Sequence, residues 1–222
     1  MDSPDIAPDL FVGSLSGLRR VNYVTRSARI LWPDIARLAL QAPGRPLRIL
    51  DVACGGGDTL IRIGRLARRA GLAVDLAGCD IKSLAVDYAF ESAQRAGVRA
   101  DFFTLDATRD PFPVDRDVIM SSLFLHHLDG DVAAGFLRRA AGATTRLLLM
   151  QDLVRSHAGY TLAAVGTPLL LCNHVCRKDG PASVQAAFSL SEARDLADRA
   201  GLSAARVEPR FPFRFLLRWE RP

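Results

Sequence analysis

The chain has 222 residues, 49 % hydrophobic and 24 % charged, a balance that excludes a disordered or fibrous polypeptide and suits one domain with a full core. Lys and Arg outnumber Asp and Glu by 29 to 24, yet the arginines are scattered among Ala-rich stretches as on solvated helix faces, so no nucleic-acid partner is expected. No uninterrupted apolar run reaches the length of a stable membrane span.

The first residues are acidic and broken by proline, unlike a signal or transit peptide, and residues 1–13 read as a loose tail. With four cysteines and no secretory leader, a cytoplasmic location with reduced thiols is expected. From Ser16 two helical stretches follow, expected to meet near Trp32 and Pro33, with Pro33 in the first turn of the second. A Pro/Gly linker at 42–46 then separates this segment, 1–45, from a main domain spanning 46–222.

Residues 47–69 are the centre of that domain. Leu47, Ile49, Leu50 and Val52 make a short β-favouring run, and Leu60, Ile61, Ile63, Gly64, Leu66 and Ala67 recur at helical spacing. Between them Gly55, Gly56 and Gly57 allow a sharp turn and a close approach to a ligand. Asp58 and Thr59 are expected at the helix cap, with the first helical N–H groups pointing into the crevice at the strand's carboxyl end. A P-loop would need Lys and then Ser or Thr after the last glycine, and Asp58 stands there instead. A dinucleotide fingerprint counted from Gly55 and Gly57 would need a third small residue at Leu60, which disfavours a nicotinamide cofactor. What remains is Asp51 ending the strand, then Ala53, Gly55 and Gly57 alternating after it.

Further along, a strand over 74–80 ends in Asp80, whose carboxylate is suited to a ribose diol, with Ile81 placed to lie against a purine face. A helix over 84–96 stops at Gly97. A third strand runs to Asp106, where the acid and the N–H of Ala107 are able to read an adenine edge. The fourth strand, 117–122, leads into Leu123-Phe124-Leu125-His126-His127. Either histidine has the chemistry of a general base, with His127 slightly favoured because the first of such a pair often packs structurally.

A helix over 131–141 and a strand over 146–151 complete the fifth step. Residues 153–188 are too long for a simple connection and too apolar for a loose loop, so they read as a cap in which Tyr160, Leu162, Val165, Leu169, Leu170, Leu171 and Val175 line a pocket. Cys172, His174 and Cys176 lack the paired spacing of zinc ligands, and no metal is expected. Asp152, His157 and His174 are reserve candidates for orienting an acceptor. A Ser-capped helix over 191–200 precedes two strands, 202–209 and 213–220, the last with Phe213, Phe215, Leu217 and Trp219 alternating.

The ordered set Asp51, Asp80, Asp106 and 121–127 resembles class I S-adenosylmethionine (SAM) dependent methyltransferases, small-molecule branch, and is most similar to ubiquinone-type and polyketide-tailoring enzymes. Ala53 stands where that pattern has its first glycine, and Ser121-Ser122-Leu123-Phe124 lacks the Asn/Asp-Pro-Pro-aromatic signature of enzymes that methylate nucleic-acid bases or glutamine. The resemblance implies an α/β, doubly wound, mostly parallel seven-stranded Rossmann-like sheet with an antiparallel last strand and a helical cap. It implies a SAM site formed by Asp51, Ala53, Cys54, Gly55, Gly57, Asp80, Ile81, Asp106, Ala107, Ser122 and Leu123, with the N-terminal helices as a lid. The acceptor is expected to be a small aromatic or lipid-like molecule, methylated at a phenolic or quinol oxygen or an activated ring carbon. A nicotinamide-dependent reductase and a non-catalytic SAM-binding protein are the alternatives, and an oligomer is allowed.

Overall fold

The computed structural model describes residues 8–41, 44–170 and 174–222, with side chains for 10–41, 44–166 and 180–222. Seven strands, β1 (Leu47–Val52), β2 (Val74–Asp80), β3 (Asp101–Thr104), β4 (Arg116–Ser122), β5 (Thr144–Leu153), β6 (Arg206–Arg210) and β7 (Arg214–Glu220), form one sheet in the order β3-β2-β1-β4-β5-β7-β6. β1 to β5 are parallel neighbours, and β7 runs antiparallel to both β5 and β6. The direction of the strand order reverses beside β1, where β2 lies on one side and β4 on the other, so the crevice opens at the carboxyl ends of these strands.

Both faces of the central strands are covered, which is why they read as nearly continuous apolar runs. Helices α2 (Ser27–Leu40) and α3 (Asp58–Ala70) bring Leu31, Ile35, Leu60 and Ile63 against Leu47, Ile49, Val118 and Leu149. On the opposite face, α5 (Gly130–Ala143) and α8 (Leu190–Arg199) bring Phe136, Leu137 and Leu196 against Leu50, Ile119, Leu148 and Phe215. Ser189 caps α8, two residues before the expected start, in a reciprocal capping box with Glu192. Helix α4 (Ser83–Ala96) completes the β2–β3 crossover.

The N-terminal segment differs from expectation in two ways. Helix α1 (Pro8–Val24) already begins within the presumed tail, because Phe11 and Leu15 are buried against Leu84, Ala85 and Tyr88 of α4. Its junction with α2 lies at Arg26, in the left-handed region at φ 56, while α2 runs through Pro33. Pro33 is on the exposed side of α2, where the carbonyl left without an N–H partner one turn earlier is open to hydration.

The segment expected to form a cap contains a helix pair, α6 (His157–Leu170) and α7 (His174–Ala186), packed on each other and on α1. α7 also touches the one-turn 3-10 helix Leu125–His127 that follows β4. Tyr160, Leu162 and Val165 are 40 %, 52 % and 63 % exposed, so these three do not close a pocket. Leu171 and Cys172 lie outside the described residues, as do the side chains of Leu169, Leu170, His174, Val175 and Cys176. No helix among the described residues is long and apolar enough to cross a membrane.

Candidate active site

The turn after β1 is wound by three left-handed residues in alternation, Ala53 at φ 54, Gly55 at φ 52 and Gly57 at φ 71. Ala53 thus adopts a conformation that normally favours glycine, which costs on the order of 1 kcal/mol for a residue with a Cβ. Gly57 has no substitute, since a Cβ there would come within 3.0 Å of Ala89 and 3.1 Å of Phe102. It also takes the helix-flanking position, so Asp58 is the first helical residue of α3 and not its cap.

Asp80 lies at the next strand end and braces this turn. Its Oδ2 accepts the Gly55 N–H at 2.9 Å and its Oδ1 accepts the Lys82 N–H at 3.1 Å. Each carboxylate oxygen has a second lone pair, so the fixed group retains capacity for a diol. Asp51, 1 % exposed at the end of β1, is in a different situation. Burial and the neighbouring carboxylates of Asp58 and Asp80 push its carboxyl well above the usual range. Burial likewise raises Asp58, although the Asn22 side chain and the charges of Arg19 and Arg214 oppose the shift.

Asp106 sits just past β3 and uses Oδ1 within its own turn, accepting the Thr108 N–H at 2.8 Å and the Thr108 hydroxyl at 2.6 Å. These bonds, led by the hydroxyl, hold its carboxyl below the ordinary value. Oδ2 lies outside the Thr108 pairing, 3.8 Å from the exposed Arg109 guanidinium, and the neighbouring Ala107 is buried, with its carbonyl accepting from Arg139. Ile81 is 59 % exposed at the rim. Cys54 and Cys79 are buried free thiols, and burial pushes Cys79 up to about 12, which makes both poor nucleophiles. Among the described residues no group of three His, Cys, Asp or Glu is arranged to hold a metal.

The ends of β4 and β5 form the other half of the rim. Ser122 carries a buried hydroxyl oxygen without a hydrogen-bond partner, and Leu123 turns the chain at φ 61 while its N–H donates to the Gln151 carbonyl at 2.9 Å. The two histidines then separate by burial. His126 is 8 % exposed, and its Nδ1 lies 2.6 Å from Asp152 Oδ1 while its N–H donates 3.1 Å to Asp152 Oδ2. His127 is exposed, its ring tilted beside that of His126 at 4.2 Å. Burial works to raise Asp152, but the charge and hydrogen bonds of His126 prevail and hold it below the ordinary carboxylate value. An ionised Asp152 accepts from Nδ1–H, which leaves Nε2 as the basic nitrogen of His126.

Arg214, at the start of β7, was not singled out by sequence reasoning. It is 2 % exposed and donates to Ser27 Oγ at 2.7 Å and Thr25 Oγ1 at 2.8 Å, on either side of the Arg26 junction. With its amide oxygen turned toward Arg214, the orientation in which both ends are satisfied, Gln151 accepts from Arg214 Nη1 and donates 2.9 Å to the Ser27 carbonyl. Ser27 Oγ donates to Asn22 Oδ1 at 3.0 Å, which carries the chain of contacts toward Asp58. Burial lowers the Arg214 guanidinium to about 10, against the charges of Asp152 and Asp58. The sequence signal was an arginine set between phenylalanines in a strand that is apolar on both faces.

An acid-lined carboxyl rim, a left-handed glycine turn and an antiparallel β7 inserted beside β5 define the fold of class I SAM-dependent methyltransferases. Residues 49–146, a little under half of the chain, match the family described as a methyltransferase domain. No curated protein gives a significant sequence match. Among solved structures, magnesium protoporphyrin IX methyltransferase from Synechocystis with bound S-adenosylhomocysteine is similar in fold, at 17 % identity and a TM-score of 0.61, over 88 % of this chain and 84 % of that one. The CurJ carbon methyltransferase aligns at 16 % identity and a TM-score of 0.63, over 87 % of this chain and 53 % of that one. An O-methyltransferase family 2 protein from Planctomyces limnophilus, in complex with apigenin, aligns at 21 % identity and a TM-score of 0.57, over 89 % and 62 %. The chain therefore spans 53 % and 62 % of the length of these last two proteins, less than two thirds of each.

The residues present suit the cofactor. Asp51 and its neighbouring carboxyls oppose one another's ionisation, a cost that a sulfonium and an ammonium would relieve, and the unpartnered Ser122 hydroxyl lies at the same rim.

Proposed function

We propose that the chain methylates a small hydrophobic acceptor at a phenolic or quinol oxygen or an activated ring carbon, with His126 as the base and Asp152 as its orienting partner. The observation that carries this reading is the buried His126–Asp152 pair at the β4 and β5 carboxyl ends. When bound, the cofactor supplies an electrophilic methyl group on a positively charged sulfur. Asp80 and the Gly55 turn hold the adenosine end, and Asp106 contributes Oδ2 toward the adenine. With the cofactor bound, His126 Nε2 would accept the acceptor's proton, and Asp152 would orient the ring and stabilise the resulting imidazolium. For an acidic phenol the proton leaves readily, so in-line positioning supplies most of the acceleration. The α1 helix acts as a lid and the α6–α7 pair as a cap that keeps the site dry. The apigenin complex of the Planctomyces protein supports a phenolic acceptor, and the carbon methyltransferase keeps ring carbon in the same reading.

The test is methyl transfer from labelled SAM to a panel of phenols, quinols and activated aromatic rings. Product is expected with at least one phenolic or quinol member. His126→Gln and Asp152→Asn are each expected to lower kcat by roughly 100-fold or more with SAM affinity nearly unchanged. An equal loss of SAM affinity and kcat in His126→Gln would reduce this histidine to a packing role.

A further inference from the structure

Cofactor and acceptor both use the carboxyl rim, but a second opening lies between other elements. A groove of about 700 Å3 runs between the α1–α2 pair and helices α3 and α4, and meets the glycine turn at Gly56, Asp58 and Thr59. Arg19 and Arg20 enter it from α1, Arg62 and Arg65 from α3, and Arg95 from α4. Arg62 and Arg65 are three residues apart and so share one helix face. The acid in this lining is Asp58, whose carboxyl is engaged by the Asn22 side chain. At the outer edge Arg95 takes Glu91 at 3.1 Å, a pair exposed to solvent on both sides and therefore weak. The Arg62 guanidinium lies 4.6 Å from the centre of the exposed Tyr23 ring, which orients it across the groove.

Gathering guanidinium groups from three helices on one groove is unfavourable by itself, because like charges repel more strongly between walls than at a flat surface. An anion reverses the sign of that interaction. Guanidinium forks match phosphoryl oxygens two at a time, and groups on three separate helices exceed what a single phosphate engages. The volume is that of a pocket for a nucleotide-sized molecule. We propose that this groove binds a diphosphate-bearing small molecule, with Arg62, Arg65 and Arg95 on the phosphoryl oxygens. The groove adjoins the cofactor cluster at Gly56 and Asp58, while Arg62, Arg65 and Arg95 lie outside that cluster, and the proposal does not rest on the choice of acceptor.

Calorimetric titration of the full chain with inorganic pyrophosphate and, separately, with ADP tests this at about 0.1 M salt. Saturable binding of pyrophosphate is expected, at least tenfold tighter than that of inorganic phosphate, and weakening as salt rises. The double variant Arg62→Glu/Arg65→Glu is expected to weaken pyrophosphate at least tenfold and to leave SAM affinity within about twofold. Arg65→Gln/Arg95→Gln, at two exposed positions, gives the same reading if the charge reversal disturbs folding. ADP tighter than pyrophosphate would assign a nucleoside-borne diphosphate, and equal affinities a bare one. Absence of saturable heat with either ligand, or unchanged affinity in both variants, overturns the proposal. Displacement of pyrophosphate by lower concentrations of a single-stranded RNA also overturns it, in favour of a nucleic-acid track.

Discussion

Asp51 and Asp152 are each 1 % exposed at the carboxyl end of a parallel strand, yet they are driven in opposite directions. At Asp51 the neighbouring charges are the carboxylates of Asp58 and Asp80, which add to burial and raise the carboxyl. At Asp152 the imidazole of His126 overcomes burial and lowers it. Burial alone therefore does not decide the state of a buried acid; the partner does. One half of the rim is left electrostatically incomplete, to be completed by a cationic ligand, and the other half is completed by the chain itself.

The largest effect should come from the group that joins the incomplete half together. Asp80→Ala removes the acceptor of the Gly55 and Lys82 N–H groups as well as the proposed ribose acceptor. Losing two charge-assisted bonds donated by the ribose diol to Asp80, at about 1.5–3 kcal/mol each, predicts at least a 100-fold loss of SAM affinity. Calorimetry measures it, with circular dichroism to verify the fold. Affinity unchanged in a folded variant would remove Asp80 from the site.

The completed half should answer in stability. Arg214→Met leaves Thr25, Ser27 and Gln151 without their common donor and Asp152 without one of its compensating charges. Removing one member of such a buried network typically costs about 3–5 kcal/mol. Chemical denaturation of the variant should show a loss of that order, and a loss below about 1 kcal/mol would mean that the network contributes little.

Asp51→Asn tests the incomplete half by subtraction. The folded state raises the Asp51 pKa, so this group contributes stability in full below its unfolded value near 4, and the contribution is lost as pH rises through the raised folded value. Ionising this buried carboxyl is a burden on the free protein. The amide removes it, so the free variant should melt higher than the parent at pH 7 and show a flatter stability profile above pH 4. Binding a cation reverses the preference: in the parent, SAM affinity should rise with pH and binding should release a proton. Both effects should disappear in the variant, with affinity roughly tenfold lower. A free variant that melts lower than the parent would contradict the assigned sign.

The two halves also differ in how far they were legible in the sequence. Asp51, Gly55, Gly57 and Asp80 are local features, because a strand end, a glycine turn and a helix start follow one another along the chain, and the parallel β1–β2 pairing brings the second acid alongside. The antiparallel β7 was legible for the same reason, as alternation within one segment. The completed half depends on contacts that carry no local pattern. His126 meets Asp152 at a separation of 26 residues, and Arg214 meets Ser27 at 187. The early start of α1 follows from burial against α4, far along the chain, and the α1–α2 junction lies at an arginine rather than at the proline, the usual sign of a break.

The smallest effect concerns the strain held beside Asp51. Ala53 occupies φ 54 where the resembling family has glycine, so its methyl group is carried in a region that disfavours it. Ala53→Gly relieves about 1–2 kcal/mol of that strain but adds back about 0.5–1 kcal/mol through the greater freedom of the unfolded chain. The net expectation is a gain of roughly 0.5–1 kcal/mol, read as a rise in the denaturation midpoint with an unchanged slope. SAM affinity should hold within about twofold, because the left-handed turn that presents Gly55 to Asp80 is already formed in the parent. If the glycine instead destabilises the protein, packing of the Ala53 methyl outweighs its backbone strain, and the turn would be held by side-chain contact as well as by the two glycines that follow.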